Sequence, residues 1–220
     1  MAARKFSKKE AIKFGWRLTK SNLWFFVGVL IVVGLITIVP DAISSLLSRP
    51  PQDNGFLLLI SLIISVFVFV MQRVLEMGIL KISLTLHDGL KAKMPDLFSC
   101  FPLFFRYVGG MALYLLIVAG GLVLLIVPGV IWAVRFGFYA CLIVDKGLGP
   151  VEALKKSYEM TRGSAWNVFL LDILSAGIIL LGILCLVIGL FAAIPVTLLA
   201  WVYVYRKLLS APDAVDPAKI

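Results

Sequence analysis

The chain has 220 residues, of which 61% are hydrophobic and 15% charged, with a mean hydropathy of +1.05 and a formal net charge of +9. A water-soluble domain of this size carries far more charge, so that class is excluded. The basic excess flanks apolar runs instead of forming one patch, which points to anionic lipid and away from nucleic acid.

Residues 7–20 come first in chain order as a predicted amphipathic helix. Ser7 and Glu10 have capping-box spacing. Lys9, Lys13, Arg17 and Lys20 gather on one face, while Ala11, Phe14 and Leu18 occupy another and Ile12 and Trp16 widen it. Such a helix suits the headgroup layer, where anionic headgroups meet its basic face. The segment 1–22 is therefore read as a basic interfacial unit, 23–208 as the membrane domain and 209–220 as a tail. No cleavable leader is expected, because Pro40-Asp41 follows the first apolar run where a small-residue cleavage site would stand.

Span one is predicted over Leu23–Val39 and span two from Phe56 to about Leu80, with Arg49-Pro50-Pro51 and Asp53-Asn54-Gly55 as breakers between them. Arg73 and Glu76, three residues apart, form a predicted local pair at the end of span two. Residues 82–104, with Asp88-Gly89 as a turn, are predicted to form a short amphipathic segment lying under the membrane.

Two long apolar runs follow. From Tyr107 to Val144 the single charge is Arg135, and from Trp166 to Tyr205 it is Asp172. One crossing needs roughly 20 apolar residues, so each run is two spans folded back on each other. Spans three and four are predicted over 107–127 and 130–144, turning at Pro128-Gly129. Spans five and six are predicted over 165–184 and 186–205, turning near Gly182–Gly189. Between the runs, Gly149-Pro150 opens a helix over 151–161 with Val151, Leu154 and Tyr158 as one stripe, and Gly163 closes it. Asp145-Lys146-Gly147-Leu148 before this helix echoes Asp88-Gly89-Leu90.

The expected fold is all-α: an integral membrane bundle of six transmembrane helices in three hairpins, with short amphipathic helices on the cytoplasmic side. Of the 21 Lys and Arg residues, 19 fall on one side of that scheme. That side is expected to face the cytoplasm, with both termini, across the plasma membrane.

Pro128-Gly129, Asp145, Glu152-Ala153-Leu154 with Ser157, Arg162-Gly163, Trp166, Phe169, Gly182, Gly189 and Pro195 form an ordered series. It resembles a widespread group of uncharacterised bacterial multi-pass membrane proteins. It is also similar to the membrane region of some glycerophosphoryl diester phosphodiesterases. The resemblance implies a six-helix bundle in the plasma membrane. It implies no activity, since the soluble catalytic domain of those enzymes has no counterpart here.

Cys100, Cys141 and Cys185 are far apart and His87 is the one histidine, so no local metal, haem or iron–sulfur motif exists. No GxSxG, phosphate-binding loop or HExxH motif appears. No catalytic, cofactor-binding or metal residues are predicted. Arg135 and Asp172 are the candidate intramembrane polar pair. A lone charge at mid-bilayer costs at least ~2.5–3.5 kcal/mol, so a bridge across antiparallel spans four and five is the first reading, with a polar gate or snorkelling without a partner as alternatives. The functional expectation is a non-enzymatic membrane-organising or accessory component that meets a partner through helix 150–162. The alternative is a transporter or channel for a small solute or lipid, with a polar path along Arg135, Asp172, Asn167 and Gln72.

Overall fold

A computed structural model describes residues 6–47, 55–185 and 189–210. The breakers at 49–54, the residues 186–188 of the expected last turn, and the tail 211–220 lie outside that set.

Nine α-helices and two short 3-10 turns account for the described residues: α1 (Lys8–Ser21), α2 (Leu23–Leu47), α3 (Gly55–His87), α4 (Phe104–Leu124), α5 (Ile126–Phe136), α6 (Tyr139–Lys146), α7 (Pro150–Met160), α8 (Ala165–Leu184) and α9 (Leu190–Ser210). The 3-10 turns cover Met94–Leu97 and Phe101–Leu103. Six stretches are long and apolar enough to cross a membrane: α2, α3, the segment ending in α4, α5 with α6, α8 and α9. The protein is an all-helical, multi-pass membrane protein built of three hairpins, α2/α3, α4/α5–α6 and α8/α9, as its hydropathy requires.

The hairpins are packed at one end and open at the other. Burial concentrates in α3 beyond Val74, in α6, in one face of α7 and in α9 from Val196 to Leu208. Tyr205, Phe138, Leu142, Ile143 and Met77 are all within 1% of full burial there. By contrast Leu59, Leu62 and Ile63 of α3, Leu115 and Leu116 of α4, and Leu180 and Leu181 of α8 are exposed, as lipid-facing side chains are. The closed end carries most of the basic residues and is called the basic end below. Trp16, Trp24 and Trp166 are 56%, 86% and 69% exposed. Trp24 and Trp166 sit in the first turns of α2 and α8, where interfacial indoles belong.

Several expected boundaries move, each for a local reason. Helix α2 starts at Leu23 as expected and continues past Pro40, the longer of the two ends the sequence allows for span one. Helix α3 is 33 residues long and continues to His87, so part of the expected amphipathic segment is its own end. The rest of that segment is the 3-10 pair, pinned by the Asp96 carboxylate accepting from Lys93 N–H at 2.7 Å. The second hairpin reverses at Leu125, whose backbone is extended (φ −166°, ψ 143°), not at Pro128-Gly129. Pro128 falls in the first turn of α5, where its missing N–H is no loss. Gly129 instead lets α5 cross Gly121 of α4, with a Cβ at Gly121 meeting Gly129 Cα at 2.8 Å.

Helix α1 begins as its sequence predicts, with Ser7 Oγ accepting from Glu10 N–H at 3.3 Å. It packs lengthwise on α9 through Ala11, Gly15 and Thr19, three small residues four apart. Its basic side chains Lys9, Lys13, Arg17 and Lys20 stay exposed. Helix α9 is thus the central pillar, touching α1, α2, α3 and α8.

Candidate functional site

The basic end is organised around Arg206, near the end of α9. Its Nη1 and Nη2 donate to the two oxygens of Asp145 at 2.8 and 3.0 Å, a forked pair. Nη2 also donates to Asp88 Oδ2 at 2.6 Å, and Tyr205 Oη donates to Asp145 Oδ2 at 2.8 Å. The two aspartates are those of the echoed motifs. Each follows or ends an apolar helix, and each motif turns on a left-handed glycine, Gly89 at φ 75° and Gly147 at φ 64°. Leu90 N–H bonds back to Thr85 O, and Gly147 N–H to Ile143 O, closing the ends of α3 and α6. The echo therefore has one geometric consequence: two helix ends deliver carboxylates to a single guanidinium. The signal was in the sequence, but the residue that joins the two motifs was not legible.

Span four is broken between α5 and α6 at Gly137-Phe138. A break inside a span frees backbone groups that lipid cannot satisfy. Helix α7 supplies the replacement. Ser157 Oγ accepts from Phe138 N–H at 3.1 Å and donates to Arg135 O at 2.8 Å. Thr161 Oγ1 lies 2.9 Å from Ser157 O and 3.2 Å from Arg135 O and can donate to one at a time. The docked face of α7 is Ala153, Leu154, Ser157 and Met160. The predicted stripe of Val151, Leu154 and Tyr158 borders one groove, with Leu154 buried and Val151 69% and Tyr158 37% exposed. Ser157→Ala is expected to cost about 1–3 kcal/mol by leaving Phe138 N–H buried and unpaired. Thermal unfolding of the detergent-solubilised protein against Ser157→Thr checks this.

The structure gives Arg135 and Asp172 separate partners. Arg135 Nη1 donates to Tyr158 Oη at 2.7 Å, and its guanidinium lies 4.8 Å from the centre of the Tyr158 ring. Asp172 Oδ1 accepts from Trp201 Nε1 at 2.8 Å, tying α8 to α9. No ion pair joins Arg135 to Asp172 among the described residues, so the expected bridge between them is corrected. The break at Gly137 is the reason. Val134, next to Arg135, lines the same groove as Ala165 and Trp166 of the first turn of α8, while Asp172 is about two turns further along that helix.

Arg73 and Glu76 form the local pair the sequence predicts, with Nη1 donating to Oε2 at 2.7 Å. Tyr107 Oη donates to the same oxygen at 3.0 Å, which fastens α4 to α3. Cys100 and Cys141 are buried and Cys185 exposed, all as free thiols.

These features define a polytopic helical membrane protein with a polar, interlocked basic end. An uncharacterised protein of Mycobacterium bovis is 30% identical over 152 residues, covering 68% of this chain and 46% of its own length. An uncharacterised protein of Mycobacterium tuberculosis is 29% identical over the same coverage. The chain spans about half the length of the curated relatives it matches. These relatives bear no assigned activity, and the resemblance to the membrane region of glycerophosphoryl diester phosphodiesterases finds no support among them. No family model matches the chain, and no solved structure matches it.

Proposed function

We propose that the protein is a non-enzymatic membrane-organising or accessory component of the plasma membrane, with its basic end and both termini in the cytoplasm. One observation carries this reading: both intramembrane charged side chains bond a neighbouring helix. Asp172 is taken by Trp201 of the neighbouring helix and Arg135 by Tyr158 of α7. The orientation rests on the 19 of 21 basic residues on that side. Two surfaces there are free to meet something else. The exposed Lys9, Lys13, Arg17 and Lys20 of α1 suit anionic headgroups. The outer face of α7, with Glu152 and Glu159 exposed, suits a protein partner.

A second reading, transport of a small solute or lipid, is favoured by the broken span, since discontinuous helices build the sites of many transporters. Against it, the Phe138 N–H and Arg135 carbonyl at the break are already bonded to Ser157, so these groups do not point at a cargo. Liposomes holding the protein are expected to leak ions and small solutes no faster than protein-free vesicles. A substrate-dependent flux would establish the transport reading and displace the first.

A further inference from the structure

We propose that the groove between α4, α5 and α7 is a binding site for an anionic phospholipid, with one acyl chain in the groove and the phosphate on Arg135 and Lys155. The proposal rests on the reading of the basic end as the side facing the anionic leaflet, and gives it a specific site.

The groove is lined by Leu113 and Ile117 of α4, Phe136 of α5, and Val151, Leu154 and Tyr158 of α7, with Lys155 at its rim. Its volume is about 380 Å³, within the range of small-ligand sites. Apart from Lys155 and the Tyr158 hydroxyl, the lining side chains are apolar, so the body of the occupant is a hydrocarbon. Helix α7 forms this wall because Ser157 holds it against the break in span four, turning Val151 and Tyr158 away from the core.

The charge at the rim sets the head of the occupant. Arg73 and Arg206 each face a carboxylate. Arg135 faces none among the described residues: its protein partner is the neutral Tyr158, through a hydroxyl bond and a ring contact. Its Nε is buried without a partner, as are those of Arg73 and Arg206, so the absence of a carboxylate is what sets it apart. Lys155, one helical turn before Tyr158's neighbour Glu159, is exposed. A guanidinium at headgroup depth with no protein counter-charge is placed to pair with an anion of the bilayer. A phosphate is the anion a bilayer supplies, and the planar guanidinium fork matches its oxygens. The position fits as well, because Val134 beside Arg135 lines one groove with Ala165 and the exposed Trp166, and an exposed indole at a helix start marks headgroup depth.

The test is native mass spectrometry of the full chain in mild detergent, titrated with phosphatidylglycerol and, separately, phosphatidylcholine. The parent is expected to retain one phosphatidylglycerol in preference to phosphatidylcholine. Arg135→Gln is expected to weaken that retention about tenfold or more. Ile117→Trp, which fills the groove without touching a charge, is expected to do the same. Lys91→Gln, at an exposed position beyond the end of α3, is expected to leave it unchanged. Unfolding temperature is read for each variant, so that Ile117→Trp carries the test if Arg135→Gln does not fold. Equal retention by the parent and a folded Ile117→Trp variant would overturn the proposal. So would displacement of the lipid by inorganic phosphate alone at matched concentration, which would make the site one for a free anion. A solute flux in liposomes would sink the accessory reading but leave these titrations as they stand, so the two failures are distinguishable.

Discussion

Arg206→Leu is expected to lower the stability of the detergent-solubilised protein by about 3 kcal/mol, the low end for breaking a buried ion pair from one side. The low end applies because Asp145 keeps the Tyr205 hydroxyl at 2.8 Å and Lys146 at 3.5 Å. The cost arises because the Asp145 side chain is only 10% exposed and loses its forked partner. Asp145→Asn is expected to cost nearly as much, since it strands the guanidinium, itself 20% exposed. Asp88→Asn is expected to cost less than 1 kcal/mol, because the Asp88 side chain is 40% exposed and water already screens that contact. The double variant Arg206→Leu/Asp145→Asn is expected to lose less than the two single losses added together. Thermal unfolding of the four variants reads this order. If Asp88→Asn proved as harmful as Arg206→Leu, Asp145 would not be the main partner.

Gly15→Ala is expected to destabilise the protein by about 2–3 kcal/mol, although the same change in an isolated helix is stabilising by about 1 kcal/mol. The sign reverses because a Cβ on Gly15 would lie 2.4 Å from the carbonyl oxygen of Val196 and 3.3 Å from Ala200 N. Both are backbone atoms of α9, so no rotamer change relieves the clash and the helices must separate. Gly120→Ala is the control: nothing lies within 4 Å of a Cβ there, so only the propensity gain remains. Limited trypsin cleavage at Lys13, Arg17 and Lys20, with unfolding temperature, measures the result. Faster cleavage is expected for Gly15→Ala and unchanged cleavage for Gly120→Ala. Unchanged cleavage of Gly15→Ala would mean that α1 does not dock on α9 as described.

The two predictions fall on contacts of different legibility. Ala11, Gly15 and Thr19 have a readable four-residue spacing, yet it sits in a basic segment outside the spans, where close helix packing is not the first expectation. Arg206 offers less: it stands beside Lys207 after an apolar run and looks like any topology-setting charge. Its role appears only when α3, α6 and α9 end at the same place. The echo of Asp88-Gly89-Leu90 in Asp145-Lys146-Gly147-Leu148 pointed at two helix ends of the same design, and the positive φ of both glycines shows why the residue type recurs.

The candidate pair shows where one-dimensional reasoning stops. Counting residues from the ends of unbroken helices placed Arg135 and Asp172 at similar depth. The count failed because span four is not one helix, and the break at Gly137 has no proline to announce it. The groups that make the break tolerable, Ser157 and Thr161, lie about 20 residues away at the far end of another helix. Pro128-Gly129 misled in the opposite direction. It reads as a turn, but proline is equally at home in a first helical turn, and Leu125 makes the reversal.

The order of residues alone settled that the chain is helical, that it crosses lipid six times, which hairpins form and which end is basic. Those properties are sums over about 20 neighbours, since each span must satisfy its backbone internally and bury its own length in hydrocarbon. Which helices touch at the basic end, where span four breaks and which partner each charge takes were decided by the tertiary structure. A hydrogen bond or ion pair is made over about 3 Å between side chains far apart in sequence. Its formation depends on how packed helices turn and cross, which no local pattern encodes.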